Sequence, residues 1–171
     1  MSRIDYIHSK IVSAEDAARL VCSWKLKNNE IVFTNGCFDI LHKGHVTYLA
    51  KAADLGDKLI VALNTDASVR AQNKSPERPI NDQFARLQVL ASLGFVDLVV
   101  LFGEKTPEEL IKKIKPTILV KGADYDENET DPSNKKYIVG SDFVKSIGGT
   151  VKTIDLEAGY STTNIISKIK V

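Results

Sequence analysis

Cysteine is scarce in this chain of 171 residues: only Cys22 and Cys37 occur, with no C-x-x-C pair and no companion histidine cluster at metal-ligand spacing. That pattern excludes a disulfide framework and a structural zinc site, and it reads both thiols as free and at least partly buried. No apolar run approaches the roughly 20 residues that span a bilayer. The start, Met1-Ser2-Arg3-Ile4-Asp5, lacks the basic-then-apolar order of a secretion signal. The sequence therefore predicts a cytoplasmic protein that does not engage a membrane. An excess of charge is missing too, since 23 Lys plus Arg face 22 Asp plus Glu for a net charge of +1. A surface for duplex nucleic acid is not expected on that balance. Neither a repeat nor a low-complexity tract marks a further domain. The G-x-x-x-x-G-K-S/T and G-x-G-x-x-G signatures do not follow the first apolar run, which disfavours a P-loop enzyme and a dinucleotide-dependent dehydrogenase.

What is present is ordinary globular material, 43% hydrophobic and 26% charged, enough for one compact domain. Near the start Ser13 can cap a helix, with Glu15 and Asp16 in its first turn and Ala17, Leu20, Val21 and Trp24 at helical spacing. Short Val- and Ile-rich runs then alternate with helical segments. The runs are Ile31-Val32-Phe33, Leu59 to Leu63, Val96 to Leu101, Ile118-Leu119-Val120 and Val151 to Ile154. Such runs suit strands buried on both faces. Helices are predicted over 44–55, 82–93, 107–114, 134–147 and 162–169. This order predicts an α/β fold, a Rossmann-like five-stranded parallel sheet with helices on both faces and right-handed crossovers. An N-terminal helical extension over 1–29 would precede the main domain at 30–171. The polar interval from Asp124 to Asn134 reads either as a solvated loop or as a lid. Phe84, Leu87 and Leu90 are assigned to the core in preference to a dimer interface, which leaves a homo-oligomer open.

Ligands of open parallel sheets bind beyond the carboxyl ends of the strands. The first such end is the richest: Phe33-Thr34-Asn35-Gly36-Cys37-Phe38-Asp39-Ile40-Leu41-His42-Lys43-Gly44-His45 leads directly into a helix. Free backbone N–H groups and the helix dipole favour an anion there. Gly44 lets backbone approach a phosphate closely, and each imidazole can donate to a phosphate oxygen. Lys74 and Arg78 bring cations to the next strand-end loop, and Arg86 lies in the early turns of the helix after it. Ser161-Thr162-Thr163 opens the last helix, where hydroxyls and N–H groups can serve as caps or converge on one phosphate.

The segment Phe38-Asp39-Ile40-Leu41-His42-Lys43-Gly44-His45 resembles the H-x-G-H signature of the nucleotidyltransferase superfamily, in its cytidylyltransferase-like branch. Together with Asn35-Gly36-Cys37, Asn64-Thr65-Asp66, Arg78-Pro79-Ile80-Asn81, Lys121-Gly122-Ala123-Asp124-Tyr125 and Ser161 to Ile166, it is similar to the D-glycero-β-D-manno-heptose 1-phosphate adenylyltransferases. That resemblance implies transfer of AMP from ATP to the sugar 1-phosphate, giving ADP-heptose, a lipopolysaccharide inner-core precursor, and pyrophosphate. It implies His42, His45 and Lys74 as catalytic groups. Asn35, Gly36, Cys37, Phe38, Asp39, Gly44, Lys121, Gly122, Ser161, Thr162 and Thr163 would bind the nucleotide, with Asp66, Arg78, Arg86 and Asp124 supporting substrate or phosphate. Mg²⁺ is expected on the triphosphate oxygens without a protein-built metal site. The kinase half with which this family is often fused has no counterpart here, so a separate sugar kinase is the expected supplier of the acceptor. Two positions depart from the family pattern, Ser75 after Lys74 and Ala123 after Gly122, where glycine is usual. The rival enzyme is a cytidylyltransferase for glycerol 3-phosphate or a similar alcohol phosphate, whose Arg-Thr near the end is replaced here by Leu156-Glu157. A flavin- or pantetheine-type adenylyltransferase is more distant, and a nucleotide-binding module without turnover is the non-enzymatic alternative.

Overall fold

The computed structural model describes residues 1–72, 77–157 and 159–169. Its elements in chain order are α1 (Arg3–Ser9), β1 (Ile11–Val12), α2 (Ala14–Lys25), β2 (Ile31–Gly36), α3 (Lys43–Ala53), β3 (Lys58–Asn64) and α4 (Asp66–Ala71). Then come α5 (Gln83–Ser92), β4 (Leu98–Phe102), α6 (Glu108–Ile114), β5 (Ile118–Gly122), α7 (Ser141–Ser146), β6 (Thr150–Ile154) and α8 (Thr162–Ile169). The sheet is parallel, with strand order β1-β4-β3-β2-β5-β6. The chain moves outward from β2 through β3 to β4, then returns to the other side of β2 with β5 and β6. The reversal leaves a crevice between the carboxyl ends of β2 and β5, the topological switch point where such sheets bind ligands.

Strand periodicity builds the core. Ile31 and Phe33 of β2, with Ile60 and Ala62 of β3, face one side and pack with Ala17, Val21, Leu110 and Ile111 of α2 and α6. Val32, Leu59, Val61 and Leu63 face the other and pack with Leu49 and Ala52 of α3 and Leu87 and Leu90 of α5. Every one of these strand residues is fully buried, which is why the runs are apolar throughout instead of alternating with polar residues.

Four expectations need correction. The sheet has six strands among the described residues, not five, because Ile11 and Val12 pair with Val99 and Val100. Within the segment 1–29, β1 belongs to the sheet, and Ala17 and Val21 share a core with Ile31 and Phe33. The helix predicted over 134–147 is confined to Ser141–Ser146. Upstream, side chains take the backbone groups a helix needs, with the Asn128, Ser133 and Lys136 N–H groups donating to Asp126, Asp131 and Asn134. Gly140, at φ +88°, then starts α7. Finally, Cys22 is exposed and Cys37 half-buried, while Phe84 is 71% exposed although Leu87 and Leu90 are buried as expected. No helix among the described residues is long and apolar enough to cross a membrane.

Candidate active site

The carboxyl end of β2 turns sharply into α3. Phe38 takes a left-handed conformation, φ +43°, and its ring folds back over Gly36, where a Cβ would lie 3.0 Å from Phe38 Cε2. A bulky residue at positive φ is strained, and such strain is held in place only by surrounding contacts. Here the contact is the edge of the ring against His45, centroids 5.2 Å apart.

His42 is the N-cap of α3, and its Nδ1 accepts from the His45 N–H at 3.3 Å. An accepting Nδ1 carries no proton, so the neutral ring bears its hydrogen on Nε2 and is a donor there. The two imidazoles stack with centroids 3.8 Å apart. Burial holds His42 below the ordinary histidine range. Burial and the neighbouring His42 push His45 down to about 4. Two neutral donors, not two cations, thus stand at the positive end of α3. Gly44 permits the stack: a Cβ there would lie 3.1 Å from the His42 ring and 3.1 Å from the Cβ of Tyr160.

These groups line a cleft of about 470 Å³. Most of the residues expected from sequence meet in it: Asn35, Gly36, Cys37, Phe38, His42, Gly44, His45, Arg78, Lys121, Gly122, Asp124, Ser161, Thr162 and Thr163. Lys121, at the end of β5, reaches the Asn35 carbonyl at 3.5 Å and stands over the Tyr125 ring. At the start of α8 the Asn164 N–H donates to Ser161 Oγ, a cap. This segment is tied to α3 through Lys43, which pairs with Glu157 at 2.7 Å and stands over the Tyr160 ring.

Three expected ligand contacts are turned elsewhere. Asp39 does not line the cleft; its carboxylate is buried and accepts from the Ile80 and Asn81 N–H groups and from Arg78 Nε. Arg86, 1% exposed, is no cation for phosphates either. Its guanidinium donates to the carbonyls of Cys37, Asn64 and Asn81 and to the carboxylate of Asp66. Asp66 is consequently its counter-ion instead of a substrate contact. Lys74 lies outside the described residues. The cleft also contains Tyr48, Asn64, Gln72, Tyr125, Leu156, Glu157 and Tyr160, which were not singled out as site residues. Asn64 ends β3 and so obeys the strand-end rule, and Tyr48 follows His45 by one helical turn. Nothing in the sequence marks Gln72.

The model of the cytidylyltransferase-like family matches residues 33–168, spanning the H-x-G-H cleft from β2 to α8. The chain belongs to that family. It is accordingly a nucleotidyltransferase. Among curated proteins it is 49% identical over 160 residues to the bifunctional protein HldE of Azorhizobium caulinodans, covering 94% of this chain and 32% of that one. It is 53% identical over 161 residues to HldE of Campylobacter curvus, covering 94% and 31%. The chain thus spans about a third of the length of these relatives. Among solved structures it resembles a lipopolysaccharide core biosynthesis protein from Thermoplasma volcanium, with TM-score 0.57 and 30% identity, covering 75% of this chain and 97% of that one. A pantoate-beta-alanine ligase from Francisella tularensis shares the fold, with TM-score 0.59 and 17% identity, over 94% of this chain and 76% of that one.

Proposed function

We propose that the cleft transfers AMP from ATP to D-glycero-β-D-manno-heptose 1-phosphate, releasing pyrophosphate and forming ADP-heptose. The observation that carries the reading is the neutral His42–His45 pair at the start of α3, in one cleft with the start of α8. Two helix N-termini and two N–H donors suit a polyphosphate whose charge moves during reaction. An oxygen of the sugar 1-phosphate attacks the α-phosphorus in line, the bond to the bridging oxygen breaks, and the electron pair leaves with pyrophosphate. A phosphate monoester is already an anionic nucleophile at neutral pH, so no covalent intermediate and no strong base is required. Catalysis comes down to positioning and charge stabilisation.

In this reading His42 and His45 donate to the α-phosphate and the leaving oxygen. Ser161, Thr162 and Thr163 hold the β- and γ-phosphates, Lys121 and Arg78 supply positive charge, and Lys74 bridges the two anions. Mg²⁺ fits as a companion of the triphosphate. When bound it withdraws charge from the phosphates. The acceptor is then the product of a sugar-phosphorylating enzyme, and ATP as donor fits reaction in the cytoplasm.

The acceptor reading is supported by the identity with HldE proteins and by the likeness to a lipopolysaccharide core biosynthesis protein. Glu157, paired with Lys43, stands where glycerol 3-phosphate cytidylyltransferases carry part of an Arg-Thr motif. The test follows pyrophosphate while each nucleoside triphosphate is offered with a panel of sugar and polyol phosphates. Turnover with ATP and the heptose 1-phosphate is expected. Turnover with CTP and glycerol 3-phosphate in its place sinks the reading, and binding without pyrophosphate release points to a non-catalytic module.

A further inference from the structure

Behind the cleft lies a polar hub that does not line it. Asp39, with a fully buried carboxylate, receives donors, among the described residues, from residues 78–81: Arg78 Nε at 3.2 Å, the Ile80 N–H at 2.8 Å and the Asn81 N–H at 3.0 Å. The Asn81 amide donates back to the Asp39 carbonyl at 2.7 Å. Arg86 seals the hub from the far side, donating to the carbonyls of Asn81 and Cys37. These donors hold the buried carboxylate out of the cleft lining, where an unpaired anion would repel phosphate. What the carboxylate does is hold one edge of the Arg78 guanidinium, a planar fork with five N–H donors, while Arg78 itself lines the cleft.

We infer that Asp39 is a positioning residue that aims Arg78 at the phosphate of the acceptor. The inference rests on the nucleotidyl-transfer reading above. Its geometric basis is the sheet order. β3 and β5 flank β2 on opposite sides, and Arg78 belongs to the chain that leaves β3 through α4, whereas Lys121 and the α8 start belong to the β5 and β6 side. In-line displacement needs the attacking oxygen opposite the leaving pyrophosphate. With the β- and γ-phosphates at the α8 start, the attacker approaches from the Arg78 side. A guanidinium fixed at Nε can present its remaining N–H groups to two phosphate oxygens at little cost in side-chain entropy.

The experiment measures KM for ATP and for the phosphate monoester that the wild type turns over best, in Arg78→Ala, Arg78→Lys, Asp39→Asn and the Asp39→Asn/Arg78→Ala double variant. Arg78→Ala raises the acceptor KM at least tenfold and changes the ATP KM less than twofold. Asp39→Asn has the same selective effect, and the double variant is no worse than Arg78→Ala within twofold, because Asp39 acts through Arg78. Arg78→Lys keeps the charge, lacks the Nε–H that Asp39 holds, and resembles Arg78→Ala. That comparison decides the matter even where Asp39→Asn does not fold. Losses that multiply in the double variant, equal rises in both KM values, or a wild-type KM in Arg78→Lys overturn the role of Asp39 while leaving the transfer reading intact. A wild type inert towards every phosphate monoester overturns both.

Discussion

His42 and His45 stack face to face, 3.8 Å between centroids and 18° from parallel, and the backbone N–H of one caps into the ring nitrogen of the other. His42 therefore does two jobs with its two nitrogens. Nδ1 caps the start of α3, and Nε2 carries the proton that can be offered to a phosphate.

The two jobs can be separated by substitution. His42→Ala loses both, lowering stability by about 0.5–2 kcal/mol for the missing cap and turnover by roughly 10²–10³-fold for the missing donor. His42→Asn restores an N-cap oxygen and hence most of the stability, but not the turnover. Thermal denaturation and pyrophosphate release on the same preparations test this; stability and activity recovering together would refute the division. His45→Ala loses turnover to a similar extent without disturbing that cap side chain.

The depressed His45 also writes a signature into stability. Its folded-state value is about 4, below the roughly 6.5 of an unfolded histidine. Between these values the unfolded chain binds the extra proton, so this group favours the native state fully above about pH 6.5 and progressively less as pH falls towards 4. Urea unfolding at pH 7 and pH 4.5 should show the wild type losing more stability across that interval than His45→Gln. Equal losses in the two proteins would contradict the burial of His45 as the cause.

Much of this is legible in the sequence. Ile31 to Phe33 and Leu59 to Leu63 announce two-face burial, and the H-x-G-H segment sits where a strand end meets a helix start. What escaped has physical reasons. Ile11–Val12 is too short for any period to register, and it becomes a strand only because β4 offers an edge. Asp39 and Arg86 sit among ligand-facing neighbours, and no local pattern tells which way a charged side chain points. Their direction is set by partners remote in sequence, Ile80 and Asn81 for Asp39 and Cys37 for Arg86. Phe84 misled in the opposite sense: its helical spacing suits the core, yet it lies on the open side of α5.

Gly44 offers a sharper test of the stack than either histidine. Alanine favours helix over glycine by about 1 kcal/mol, so Gly44→Ala should help α3 in isolation. In the folded protein the added methyl meets the His42 ring and Tyr160 at once, and overpacking of this kind costs typically 1–3 kcal/mol. The expected outcome is near-neutral or mildly reduced stability with turnover lowered at least tenfold, because the rings must part or tilt. Wild-type turnover in this variant would show that the ring geometry is not what the reaction uses.

Arg86 carries the last prediction, and it turns on where the charge is spent. A cation serving phosphates from solvent would tolerate removal with little loss of stability, as exposed ion pairs contribute about 0–1 kcal/mol. Arg86 is instead buried with four hydrogen bonds, to the carbonyls of Cys37, Asn64 and Asn81 and to the Asp66 carboxylate. Removing one partner of a buried pair costs roughly 3–5 kcal/mol, since the other charge and the carbonyls are stranded. Arg86→Ala should therefore unfold at markedly lower urea concentration than the wild type. Arg86→Lys should recover only part of the loss, because one ammonium cannot reach the carbonyls of Cys37, Asn64 and Asn81 together. Saturating ATP should stabilise both variants only by mass action on whatever binding remains. Arg86→Ala with wild-type stability and a selective loss of ATP affinity would return this residue to the phosphates. The hydrogen bonds to Cys37 and Asn64 predict the opposite order, with stability failing first and the cleft following because β2 and β3 no longer end in register around it.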